Sequence, residues 1–221
     1  MDWAILKRCI KPDGGTLPVW DRRRMMSNKG TRNYRALFWT LALAGLLVDL
    51  WSKHQVFAWL GNPATPGYYR IWEATPETGF QLVAQFEFIE EKLVPRVNHG
   101  ALFGMGGSHK NLANGIFALV SLCAAMAVIA WSIFGKGIRQ AWLTTALGLI
   151  LGGTLGNLHD RIVFGGVRDF LHWNYLYDWP VFNMADVWLV TGAGMLLVQS
   201  LFLPDPALDS KTEPLPAINT Q

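Results

Sequence analysis

Four stretches of the chain are apolar for long enough to suggest membrane-crossing helices, at residues 36 to about 51, 112–134, 141 to about 155 and 181–203. A spanning helix needs about 20 predominantly apolar residues. The first stretch is the shortest, because its uncharged part stops at Asp49. Its 13 residues from Ala36 to Val48 also fit the core of a signal peptide behind a basic leader. Retention is expected, since the small-x-small triplet Ala42-Leu43-Ala44 lies inside the apolar run and not after it. The triplet Arg22-Arg23-Arg24 is a weak match to a twin-arginine signal, because residues 27–35 after it are polar. Between the first two spans the period changes: Phe80, Leu82, Ala84, Phe86 and Phe88 alternate with Gln81, Gln85 and Glu87, as in a half-buried strand. These patterns predict a mainly α membrane protein of four transmembrane helices with a small extracytoplasmic β-sheet. Three parts follow: a basic tail at 1–35, a membrane domain at 36–203 that includes an outer loop and sheet at 54–110, and a Pro-rich tail at 204–221 expected to be disordered.

Composition agrees with a membrane setting. The 221 residues are 51% hydrophobic and only 16% charged, with 11 Trp. A pI near 9.0 raises the question of nucleic acid. However, nine of the 19 Lys and Arg fall in the first 35 residues. That distribution fits a cytoplasmic anchor beside acidic lipid headgroups, so membrane lipids and not nucleic acid are the expected partners. With the turn carrying Lys136 and Arg139 also cytoplasmic, both termini lie inside, and the loops 53–110 and 157–180 lie outside. A multi-pass membrane protein acting as a monomer is the expectation. Two cysteines, Cys9 and Cys123, support neither a disulfide framework nor a thiolate metal site.

Polar residues within or beside apolar spans are costly and usually line cavities or pair. They form four clusters. Asp49 and Lys53 share one helical face, which reads most simply as an interfacial ion pair. Asn98-His99-Gly100 begins a loop that suits either a self-satisfied turn or a cradle for extended peptide backbone. In the third cluster, Gly148, Gly152 and Gly156 recur every fourth residue and predict close helix packing. Asn157, Asp160 and Arg161 follow, and adjacent Asp160 and Arg161 would diverge on a helix. A phosphate loop would need Gly-Lys-Ser or Gly-Lys-Thr, which is missing. The spacing of His159, Asp160, Asp169 and His172 matches no common metal set, so no metal or cofactor is expected. The fourth cluster places Asn183 three residues before Asp186, close to a capping box.

Asp169 leaves the third span and Asp186 enters the fourth at the same membrane face, so the two can meet. Two close carboxylates do not both ionise easily and come to share one proton. The ionised member then draws a proton from water while its protonated partner stabilises the oxyanion and later serves the leaving amine, which is peptide-hydrolysis chemistry. Asp186, at a helix N-terminus, is the better ionised partner.

At these residues the chain resembles the bacterial lipoprotein signal peptidases, or signal peptidases II, over roughly residues 36–203. The resemblance rests on Asp49, Ser52 and Lys53; on Asn98, Gly100 and Phe103; on Gly156, Asn157, Asp160 and Arg161; on Val167, Asp169 and Phe170; and on Phe182, Asn183, Ala185 and Asp186. It implies that Asp169 and Asp186 are the catalytic pair. It further implies a prolipoprotein substrate whose cysteine already carries a diacylglyceryl group, cut on the N-terminal side of that cysteine. Asn98, Gly100, Asn157, Arg161 and Asn183 would then support the peptide, with Asp160 orienting Arg161 and Asp49 and Lys53 in supporting positions. Three features depart from the family: the long basic N-terminal tail, Leu102 where a small residue is usual, and the Pro-, Gly- and aromatic-rich segment 62–79. Two rival classes are a non-catalytic binder of lipidated peptides and a small transporter using the aspartates as a proton relay. Intact aspartates oppose the first, and the clustering of charge at one interface opposes the second.

Overall fold

A computed structural model describes residues 33–62, 64–65, 67–89, 91–100, 110–135 and 140–202. The expectations for the two tails and for the turn with Lys136 and Arg139 lie outside the described residues, as does Leu102. Among the described residues there are four helices: α1 (Arg35–Leu60), α2 (Lys110–Phe134), α3 (Ala141–Val163) and α4 (Met184–Phe202). All four are long and apolar enough to cross a membrane. At 1.5 Å per residue, α3 alone covers about 34 Å, slightly more than a bilayer core.

Two helices run further than their apolar stretches. The first continues past Asp49 and Lys53 to Leu60, because those charges satisfy each other and Val56, Phe57 and Leu60 beyond them have a core to enter. The third continues through Asn157 and Asp160 to Val163, so the start of the expected outer loop is helical. The polar groups there find partners on other elements, which removes the cost of keeping them in the helix. The fourth begins later than expected, at Met184, where Asn183 caps it.

Helix α3 packs against all three other helices. Its glycine stripe explains how. A Cβ on Gly148 would lie 3.0 Å from the Phe38 carbonyl oxygen, and one on Gly152 only 2.9 Å from that of Ala42. The backbones of α1 and α3 therefore touch where side chains would hold them apart. At Gly156 the same hollow is filled by the Asp49 carboxylate.

The alternating segment is not one strand. It forms β2 (Thr78–Val83) and β3 (Phe86–Ile89), broken at Ala84 and Gln85. Ala84 is buried in the core under the sheet and its N–H bonds to the Gly67 carbonyl, so the chain turns inward there and the strands enter different sheets. One is a hairpin of β3 with β4 (Lys92–Pro95). The other has the order β1 (Tyr68–Thr75), β2, β5 (Leu171–Trp173), all antiparallel. Strand β5 comes from the loop after α3, a pairing that the local pattern does not announce. Phe80 and Leu82 of β2 pack on Val56, Phe57, Leu60, Phe170 and Leu171. Phe88, which the alternation assigned to the buried face, is 77% exposed on the separate hairpin.

Gly152→Ala is expected to cost about 1–3 kcal/mol, since backbone and not a flexible side chain blocks the new methyl group. Gly194 has open space around its missing Cβ, so Gly194→Ala is expected to be neutral or stabilising by up to about 1 kcal/mol. Thermal unfolding of the detergent-solubilised variants separates the two. Equal melting temperatures would contradict the packing role of the stripe.

Candidate active site

The segment carrying Asp169 is sewn into place on both sides. Val83 donates its N–H to the Phe170 carbonyl, while Phe170 and Leu171 donate theirs to that of Phe182. Asp169 is thereby held beside Asn183 at the mouth of α4. Asn183 and Asp186 form the anticipated capping box: the Asp186 N–H donates to Asn183 Oδ1 at 3.1 Å, and the Asn183 N–H donates to Asp186 Oδ2 at 3.2 Å. Capping leaves the amide nitrogen of Asn183 free for another task. Its Nδ2 donates to Asp169 Oδ1 at 2.6 Å. One fully buried side chain thus touches both aspartates.

Each carboxylate has a second amide donor. Asn98 Nδ2 donates to Asp169 Oδ2 at 2.9 Å, and Asn157 Nδ2 donates to Asp186 Oδ1 at 2.9 Å. The Asn98 loop reads both ways at once. Asn98 Oδ1 accepts the Gly100 N–H at 2.9 Å, as a self-satisfied turn would have it, which leaves the amide pointed at Asp169. Gly100 is required for this turn: its φ is +86°, and a Cβ would run into the Phe117 ring. Burial pushes the Asp169 carboxyl up to about 6, with Asp186 adding to the rise, against the lowering effect of the Asn98 and Asn183 donors and the Lys53 charge.

Behind the aspartates lies a buried ionic cluster. Lys53 is fully buried, 2.7 Å from Asp49 and 3.4 Å from Asp160, and it donates to Asn157 Oδ1 at 3.2 Å. Asp49 uses its other oxygen to accept the Ala185 N–H at 2.8 Å, in the first turn of α4. Asp49 and Lys53 form the anticipated ion pair, and helix packing removes both from water. The expectation that Asp160 orients Arg161 fails. Asp160 accepts Nε, Nη2 and the backbone N–H of Arg168, at 3.2, 2.8 and 3.0 Å, because the chain folds back after α3. Arg168 also lies over the Phe164 ring at 4.0 Å. Nothing local marks its role, as its partner lies eight residues back across a turn.

Arg161 points elsewhere. Its guanidinium donates to the Asn157 carbonyl at 3.3 Å and sits 5.4 Å from the Phe117 ring centroid, within electrostatic reach of both Asp169 and Asp186. Its Nε is buried without a hydrogen-bond partner among the described residues. The four residues weighed as metal ligands have separate engagements: His159 approaches Asp160, Asp160 binds Arg168, Asp169 binds the two asparagines, and His172 lies between Gln81 and Asp178.

Lys53→Met leaves Asp49 and Asp160 buried with a lost counter-charge, and is expected to cost about 3–5 kcal/mol. An unchanged melting temperature would remove Lys53 from the centre of the fold. Asp169 generates a pH dependence as well. Its carboxyl holds a proton to about 6 in the folded protein against 3.8 normally, so the unfolded chain releases that proton first as pH rises. Stability from the neutral carboxyl is complete below pH ~4 and lost as pH climbs through 6, on the order of 2 kcal/mol after allowance for partial exposure. Melting temperatures at pH 4 to 7.5 should show the parent losing ground to Asp169→Asn. Parallel curves would contradict the shift.

The family model and the sequence relatives agree on one family. The family model described as signal peptidase (SPase) II matches residues 41–202. The lipoprotein signal peptidase of Rhodopirellula baltica is 44% identical over 181 residues, covering 76% of this chain and 73% of that protein. That of Dichelobacter nodosus is 32% identical over 158 residues, 68% of this chain and 97% of its own. Among solved structures, a bacterial membrane enzyme determined by the in meso method at 2.3 Å resolution superposes with a TM-score of 0.56, at 21% identity, over 82% of this chain and 94% of its own. That likeness concerns the fold, and it matches four membrane-length helices with small antiparallel sheets. From the extent of the family match and the identity to its members, the chain belongs to the signal peptidase II family.

Proposed function

We propose that this protein is an aspartic endopeptidase that removes signal peptides from diacylglyceryl-modified prolipoproteins, cutting on the N-terminal side of the lipidated cysteine, with Asp169 and Asp186 as its catalytic pair. The observation that carries the reading is Asn183, which hydrogen-bonds both carboxylates while each holds a second amide donor. Two carboxylates held in one polar setting, one with its proton retained to about 6, supply the acid and the base that amide hydrolysis needs. Asp186 accepts a proton from water, whose oxygen attacks the scissile carbonyl carbon. Asp169 donates to the forming oxyanion. When the tetrahedral intermediate collapses, the carbon–nitrogen bond breaks and the departing amine takes a proton from the pair.

Supporting roles follow from the contacts. Asn98, Asn157 and Asn183 each place an amide N–H on a carboxylate, so their first role is to fix the pair. Arg161, part-buried and within electrostatic reach of both aspartates, is the better candidate to hold a substrate carbonyl. Asp49, Lys53 and Asp160 support the site from behind, and Gly100 shapes the turn that aims Asn98. The site opens toward the outer face of the bacterial cytoplasmic membrane, with both chain termini inside.

Purified protein in detergent with a diacylglyceryl prolipoprotein tests the proposal. Cleavage by the parent is expected, with Asp169→Asn and Asp186→Asn each slower by roughly 10²- to 10⁴-fold. An inactive parent, or full cleavage by both variants, overturns it.

A further inference from the structure

The three-stranded sheet has two unlike faces. Opposite residues on antiparallel neighbours share a face, so the pairs Tyr69 with Leu82 and Leu82 with Leu171 form one row, and Trp72 with Phe80 and Phe80 with Trp173 form the next. Leu82, Phe80 and Leu171 pack on the outer turns of α1, which identifies this as the face toward the helices. Arg70, Gln81 and His172 make the corresponding row on the opposite face, where Gln81 and His172 hydrogen-bond. An uninterrupted β1 would place Tyr69 and Trp72 on opposite faces. The bulge between Arg70 and Trp72 returns Trp72 to the helix side.

The helix-side face is wider than the core it covers. Phe80 and Leu82 rest on the helices, but Tyr69 and Trp72 of the edge strand remain 51% and 46% exposed. Trp72 stacks with Trp173 at 5.9 Å, and Tyr175 meets the Trp72 ring edge-on at 5.1 Å. At the other end Tyr69 packs at 5.0 Å against Trp59, an exposed residue in the last turn of α1. The aromatic surface is therefore continuous with the exposed side of α1, a helix long and apolar enough to cross a membrane, at its C-terminal end. Rings with an apolar body and a polar edge gather at this depth.

We propose that Tyr69, Trp72, Trp173 and Tyr175 form a membrane-docking face, immersed in the lipid headgroup region on the sheet's side of the bilayer. The bulge in β1 makes this possible by turning Trp72 down while Arg70 stays on the water side. The docked occupant is the lipid interface itself and not a second protein, because the patch extends the lipid-exposed surface of α1.

Spin labels test the orientation independently of peptidase activity. The full chain with Cys9→Ser and Cys123→Ser, carrying Trp72→Cys or Arg70→Cys, is placed in phosphatidylglycerol and phosphatidylethanolamine nanodiscs. Accessibility to oxygen and to a nickel chelate is read by power saturation. At position 72 oxygen access is expected to exceed nickel access several-fold, with the reverse at position 70. Tyr69→Cys serves as a second probe of the immersed side should the Trp72 variant fold poorly. Equal nickel access on the two faces overturns the proposal. Exclusion of both reagents from position 72, with spin–spin broadening from a neighbouring label, also overturns it and assigns the patch to a second copy of the chain.

Discussion

Lys53 is the constraint on which the rest depends. A fully buried ammonium within a membrane-length helix is tolerable only when surrounded by acceptors. Asp49, Asn157 and Asp160 supply them. Satisfying one charge therefore fixes α1 against α3. Asp49 carries the effect into α4 through the Ala185 N–H, and Asp160 carries it into the Asp169 loop through Arg168. Asn157, with one face on Lys53 and the other on Asp186, joins this cluster to the candidate site. The glycine stripe is the geometric counterpart, since a side chain at Gly156 would occupy the space of the Asp49 carboxylate.

The electrostatic and steric demands are met by the same residues. Small residues let the helices approach, and the approach excludes water from ions that then have only one another. Such clusters are weak evidence for stability taken alone, because desolvation offsets much of the attraction. Their value here is in specification: each acceptor of Lys53 sits at a defined place, so an altered register of α1 against α3 would leave charges unpaired in an apolar setting.

Much of this was legible in the sequence. The four spans, the helix-packing stripe and the capping box follow from local periodicity and spacing, which the chain must obey wherever it folds. The meeting of Asp169 and Asp186 was inferable from their places after the third span and at the start of the fourth, and Asn183 hydrogen-bonds both. What local reading missed were the long-range choices. Asp160 takes Arg168 in preference to its sequence neighbour, Asp49 and Lys53 are buried between helices, and β2 recruits β5 from a loop about 90 residues away in place of extending into β3. The first and third depend on the fold-back of the chain after α3 and the second on the packing of whole helices, neither of which a period-two or period-3.6 pattern encodes. Helix ends were misjudged for a related reason: a charge that ends an apolar run does not end a helix when its partner is one turn away.

Asn183 has a bearing on how the protein comes into being. Its backbone and carbonyl oxygen close the first turn of α4 while its amide holds Asp169. A chain whose last helix has not yet formed therefore lacks the bridge between its two carboxylates. On the proposed chemistry, hydrolytic power therefore requires the first turn of α4 to be formed, because the residue that starts the helix is also the one that joins the two carboxylates.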